Sequence, residues 1–479
     1  MEKYGYTWDL SAFGGTTPIY SSFPPFLWAD HPILRNVWTD MGIPVLKECA
    51  GGDKLGLCWI PISEHPVTAR RSHSGLGHYA AVNTTRPNYD LLVKHQVVRV
   101  VYPDGNIKSG PPLVEIRALD DDHLFNMTAK AEVIISAGAL HTPTILQRSG
   151  IGPAEFLETA DIPLVLELPG VGSNFQDHSG PGISWNCKCP CPSGCLQQSA
   201  NRGSALDTKP GNFSPLPSDM LNSDFAAKAT ADFDATPAQG PYTLAMSNSA
   251  IYLSLSNMSA DYETIVDKIR ALANSDDPAA LHLPAAYESD ATLIAGYKHQ
   301  LSVLADYYAN PKAPSTECPW ATGTSMRTFL LHPLSRGTVR LDLTDHLEQP
   351  ILDYRTGSNP IDFDIHIAHV KYLRKMIDTE TMKGFGTVEL GPAPSIQTDA
   401  ELINYIQDQM TFSFMHPCCT AAMMPKEKGG VVGPDLKVHG AAGLRVVDMS
   451  VLPFTPSSHL SALAYAVGEK VSTKPGWTE

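Results

Sequence analysis

The sequence contains no run of about 18 apolar residues, so no membrane span is expected. Basic residues are in deficit. The chain has 35 Lys and Arg against 50 Asp and Glu, a formal net charge of −15. An acidic surface repels phosphate backbones and anionic membranes, so nucleic acid is not an expected partner. Cysteine is scarce. Nine residues, an odd number, are too few for a disulfide-built scaffold. The start, MEKYGYTWDLSAFGG, lacks the basic-then-apolar pattern of a secretory leader. Taken literally, that implies a cytoplasmic protein. Sequons at Asn83, Asn126, Asn212 and Asn257 point instead to the secretory pathway.

A dinucleotide fingerprint is also lacking. Gly75-Leu-Gly77-His-Tyr-Ala80 matches G-x-G-x-x-A, but no strand pattern precedes it and no helix pattern follows. Without them the glycines have no helix N-terminus with which to cradle a pyrophosphate. Gly170-Val-Gly172 and Gly150-Ile-Gly152 fail in the same way.

What is present is a globular composition, 43% hydrophobic and 18% charged, over 479 residues. That length predicts two or three domain-sized units. The first eighty or so residues are rich in Pro, Gly, Ser and aromatics and read as loops with one helical patch at 34–42. A β-type run over 89–106 ends on the turn Pro103-Asp104-Gly105, and 131–139 reads as a short buried strand. A helix follows, with Thr142 as N-cap, Pro143 at its first position and Gly150 as its stop. Residues 185–240 read as a long surface insertion. Helical patterns occupy 261–273, 291–309 and 361–378, with a β-rich part at 337–345. The end is a strand through 443–453, a tight turn, and a helix capped by Ser457 or Ser458. That helix carries Leu460, Leu463, Val467 and Val471 on one side.

Two groups of residues suggest chemistry. Cys187, Cys189, Cys191 and Cys195 lie in a Pro/Ser loop without the paired C-x2-C spacing of zinc sites, so metal is not expected there. His416 precedes Pro417 and adjacent Cys418 and Cys419. It fits a metal ligand, the activator of a cysteine, a general base for another molecule, or a core residue. His459 lies at the start of the final helix, beside exposed backbone N–H donors.

Taken together, three segments resemble the glucose–methanol–choline (GMC) family of FAD-dependent oxidoreductases. They are SAGALHTPTILQRSGIGP at 136–153, LPGVGSNFQDH at 168–178, and the block from His416 through SSHLSALAYAV. The second departs from the family's P-G-V-G-x-N-L-Q-D-H by Phe175 for Leu. The likeness is greatest to the fungal secondary-metabolism branch, patulin-synthase-like alcohol oxidases. It implies an α/β fold: an incomplete FAD-binding domain plus a sheet-and-helix (α+β) substrate-binding domain. It further implies loops linking the two at 1–90, FAD-domain strands at 91–180, mainly substrate domain at 181–410, and a return to the FAD domain at 411–479.

The resemblance assigns roles to single positions. His416 is implied as the general base and His459 as its partner across a substrate hydroxyl. Asp448 is implied near the FAD pyrophosphate and ribityl chain. The backbone at His459 and Leu460 is implied at the flavin pyrimidine edge, and Val97 at the adenine. A base within reach of the hydroxyl suits hydride transfer to flavin N5, and a neutral imidazole suits that base. The expected function is oxidation of a small alcohol substrate. The alternatives are a non-catalytic homologue that does not hold FAD, and a cyclase or dehydratase on an FAD scaffold. Family members begin with a strand–GxGxxG–helix, and this sequence is expected to lack that segment, roughly a hundred residues or more. Strand 131–139 is then expected to lose a sheet neighbour and expose an edge. A leader upstream of Met1 would make the protein secretory; otherwise it is expected in the cytoplasm. The sequence sets no oligomeric state.

Overall fold

The computed structural model describes residues 4–472, except 14, 16–17, 30, 188–214, 216, 245–247, 289, 320–323 and 385. Two packed bodies of structure follow from the two largest hydrophobic cores among the described residues.

In the first, strand Val133–Ile135 pairs in parallel with Leu444–Val446, Ile134 lying opposite Arg445. An ion pair fixes this register. The Arg445 guanidinium donates to the Glu132 carboxylate at 2.9 Å, with side-chain exposures of 6% and 10%. Among the described residues no other strand joins these two; the 436–438 segment bridges the Leu444–Val446 side at Lys437–Arg445, and on the other side Val133 and Ile134 are only half-buried. The antiparallel meander His95–Val101, Leu113–Ala118, Leu124–Thr128 lies beside them. Helix Gly138–Arg148 packs Ile145 and Leu146 against Val100, Ile135, Leu168 and Val446.

That helix starts five residues earlier than the sequence suggested. Thr142 is not its N-cap but lies inside it, with Pro143. The start is closed from a distance. Asp448, just beyond the partner strand, accepts the Gly138 N–H at 2.9 Å and the Thr142 hydroxyl at 2.5 Å. A carboxylate at a helix N-terminus satisfies orphan N–H groups and meets the favourable end of the dipole. Gly138 permits the turn, with φ of +79°.

The second body holds a four-stranded antiparallel sheet, in the order Gly56–Trp59, Ser249–Leu253, Thr316–Pro319, Phe329–Leu330. A three-stranded sheet, Ser325–Arg327, Gly182–Cys187, Thr387–Gly391, accompanies it. Helices Tyr262–Ala273, Ala291–Ala309 and Pro360–Ile377 cover them, joining Trp38, Trp185, Ile251, Leu253, Tyr297 and Leu373 in one core. These helices match the periodic segments because their signals are local. Asp290 caps the second, and Asn359 with Pro360 opens the third.

Two expectations change. The insertion at 185–240 begins as strand and carries a helix, Ser223–Asp234, whose cap Asn222 accepts the N–H groups of Asp224 and Phe225. The loop-like first eighty residues contribute strand Gly56–Trp59, tied by a Cys49–Cys58 disulfide. Cys189, Cys191, Cys195 and the sequon at Asn212 lie outside the described residues. Gly75–Ala80 forms a π-helical turn, and a Cβ on Gly77 would sit 2.6 Å from the Pro18 carbonyl. Close backbone packing accounts for that glycine.

Candidate active site

The His416 loop is held against residues 174–180. Cys418 and Gln176 exchange backbone hydrogen bonds, and Thr411 pairs with Gly180. The Asp177 carboxyl accepts from the Ser413 hydroxyl and from the N–H groups of Phe414 and His416. Burial pushes Asp177 up to about 6 despite those donors. Met415 turns the chain with φ of +63°, which sends its own side chain to solvent.

His459 comes from the other direction, immediately before helix Leu460–Ser472. The helix buries Leu460 and Val471 and packs Leu463 and Val467, the side chosen by its periodicity. Ser457 does not serve as its cap. The Ser457 hydroxyl bonds instead to the Tyr307 hydroxyl at 2.6 Å and to His332 Nε2 at 2.8 Å. The imidazole rings of His416 and His459 meet with centroids 4.8 Å apart.

Two side chains that the sequence did not reveal complete the cluster. Glu317, wholly buried on strand Thr316–Pro319, places Oε1 2.8 Å from His459 Nε2. His178, also wholly buried, places Nδ1 2.9 Å from His416 Nδ1. No local pattern flagged either one. Glu317 lies in a four-residue strand, Thr-Glu-Cys-Pro, with no motif around it, and His178 closes a segment read for its family resemblance without a role for the histidine.

Burial and these charges push the two histidines apart. Burial, assisted by the charge of His459, lowers His416 to about 4, while Glu317 pulls weakly the other way. Burial alone would lower His459 too, but the hydrogen bond and charge of Glu317 outweigh it and raise it. His416 is therefore the neutral member and His459 the readier proton holder. Phe414 and Phe329 meet in a tilted contact with centroids 3.5 Å apart, and Phe329 lies 6.3 Å from the His459 ring. The site thus has an aromatic wall.

The alternatives for the cysteines narrow. Cys418 and Cys419 are buried against Met449, Leu452 and Leu460 and are disulfide-linked to each other. Among the described residues no group of three His, Cys, Asp or Glu could hold a metal.

The remaining positions divide. Leu460 packs on Cys418 and Cys419, beside the histidines. Asp448 sits at the start of the Gly138–Arg148 helix. Val97 lies at a bulge in the meander, which packs on that helix rather than on the histidine pair. Two features suit a nucleotide cofactor. A Cβ on Gly138 would meet nothing within 4 Å, so open space adjoins a helix N-terminus at the carboxyl end of parallel strands. A second helix N-terminus, at Leu460, adjoins His459. The residues present therefore fit FAD at its ribityl and ring end.

Open space beside a helix N-terminus at the end of parallel strands fits the site of a dinucleotide-dependent enzyme. Comparison with known proteins makes this specific. The GMC oxidoreductase family matches residues 30–180 and 333–468. Dehydrogenase xptC of Emericella nidulans is 31% identical over 98% of this chain and 72% of its own length. Patulin synthase of Penicillium expansum is 25% identical over 97% and 67%. The solved structure of a fungal aryl-alcohol oxidase is 58% identical, with a TM-score of 0.92 over 98% of this chain and 75% of that one. The chain belongs to the GMC oxidoreductase family, and its cofactor is FAD.

Proposed function

We propose that the protein oxidises the hydroxyl of a small alcohol, with aryl-substituted alcohols as the substrate class. The observation that carries this reading is the split histidine pair. His416 accepts the hydroxyl proton. His459, kept proton-rich by buried Glu317, donates a hydrogen bond to the same oxygen and stabilises its developing negative charge. FAD, when bound, supplies the hydride acceptor. Phe414 and Phe329 favour a flat ring on the substrate. Likeness to the aryl-alcohol oxidase supports the same class.

Asp448 has its carboxylate committed to the helix start, so it serves the cofactor through the backbone it positions. The backbone at His459 and Leu460 serves the pyrimidine edge, and Val97 the adenine end.

The test is anaerobic reduction of FAD-loaded protein by an aryl alcohol. His416→Ala is expected to slow it by about 10²–10⁴-fold. Normal turnover with both His416→Ala and His459→Ala would end this reading. A second reading, that this chain by itself does not retain FAD, is favoured by the half-buried two-stranded parallel sheet. A flavin absorbance band in the purified chain decides against it.

A further inference from the structure

We propose that His178 sets the tautomer of His416, holding the proton on Nδ1 and leaving the Nε2 lone pair free for the substrate hydroxyl. This rests on the reading of His416 as the base.

The argument runs through proton positions. His178 Nε2 lies 3.0 Å from the Pro456 carbonyl oxygen. A carbonyl only accepts, so His178 Nε2 must carry a hydrogen. The other nitrogen, Nδ1, lies 2.9 Å from His416 Nδ1. Two lone pairs cannot share that distance, so one of these nitrogens donates.

If His178 donated at both nitrogens it would be an imidazolium. Its surroundings oppose that. The ring is wholly buried, and the ionisable groups felt there are other histidines: His416, His332 and His459. The adjacent Asp177 directs its carboxyl to Ser413 and to the backbone of Phe414 and His416. His178 is thus neutral, its single hydrogen is on Nε2, and its Nδ1 accepts. The donor is then the Nδ1–H of His416. The two rings stand nearly perpendicular, at 87°, with centroids 5.1 Å apart.

The consequence falls on the far side of His416. A neutral imidazole has one N–H, so with Nδ1 protonated the basic nitrogen is Nε2. Among the described residues, Nε2 of His416 makes no hydrogen bond. Once Nε2 takes a proton, the Nδ1–H becomes a charge-assisted donor to His178 and the bond strengthens. His178 therefore acts as a positioning residue. It selects the reactive nitrogen and stabilises the protonated form of the base.

The test is two-bond ¹H–¹⁵N correlation spectroscopy of the FAD-loaded full chain labelled at histidine, with the His416 signals assigned by their loss in His416→Gln. A pyrrole-type Nδ1 and pyridine-type Nε2 are expected for His416; the reverse pattern overturns the proposal. His178→Phe keeps the ring's bulk but removes the acceptor. It is expected to populate the Nε2–H tautomer and to lower kcat at least about tenfold, with little change in KM. His178→Gln can accept from Nδ1–H with its oxygen and donate to Pro456 with its amide, and is expected to keep the native tautomer. An unchanged His416 spectrum in His178→Phe would refute the role. Should that variant fail to fold, His178→Leu, which likewise removes the acceptor, carries the same expectation and the same refutation. The outcome is separable from the base assignment. Normal turnover in His416→Ala removes the base but leaves the tautomer measurement standing.

Discussion

Glu317→Gln is the sharpest probe of the histidine pair. The substitution keeps the shape of a wholly buried side chain and removes its charge, 2.8 Å from His459 Nε2. A hydrogen bond to a charged group is worth about 1.5–3 kcal/mol. Half of the His459 side chain is exposed, at 51%, so water screens the interaction and the low end applies. A loss of about 1.4 kcal/mol from the protonated form is roughly a tenfold factor, and it lowers the raised His459 pKa. The sign is fixed by the direction of the shift. A raised pKa means that the protonated form, and whatever it does, is present at low pH and is lost as pH rises through the folded value. Glu317→Gln moves that loss toward acid, so activity falls about tenfold on the basic limb and changes little on the acid limb. Stopped-flow flavin reduction across pH, with FAD-loaded protein under anaerobic conditions, reads this directly. Superimposable basic limbs for the two proteins would refute the claim that Glu317 governs His459.

Other expectations concern the scaffold. Asp448→Ala strips the start of the Gly138–Arg148 helix of its distant cap and is expected to cost about 1–2 kcal/mol in denaturant unfolding, with Asp448→Asn closer to the native protein. His366 and His369 are wholly buried on helix Pro360–Ile377, and burial holds His366 at about 3. A depressed histidine pKa gives stability that is complete above the unfolded value of 6.5 and drains as pH falls toward the folded one. At pH 5 the His366 contribution amounts to about 2 kcal/mol lost. His366→Leu is therefore expected to flatten the acid side of a plot of unfolding free energy against pH.

Much of this was legible in the sequence, for reasons that differ by element. Helix Pro360–Ile377 announces itself through its cap, its N1 proline and its period, all local signals. His416 and His459 were legible only through the motifs around them, and the structure places their rings together. The start of the Gly138–Arg148 helix was misread because Thr142-Pro143 is a good local start signal. The stronger partner, Asp448, is 306 residues away from Thr142. Glu317 and His178 were hidden for the same reason. Each has a partner more than a hundred residues distant, at separations of 142 and 238. Strand Gly56–Trp59 is four residues long and buried throughout, so it shows no alternation to detect.

The bonds from Asp177 to the backbone at 414 and 416 have one more consequence. They stitch the His416 loop to a segment 237 and 239 residues earlier in the chain. Contacts of that separation repay their closure entropy only after the intervening chain has organised. The base is thus placed by a contact that, like the still longer-range pairing of Val133–Ile135 with Leu444–Val446, forms only after local structure. Native-like helix content should return before catalytic competence does.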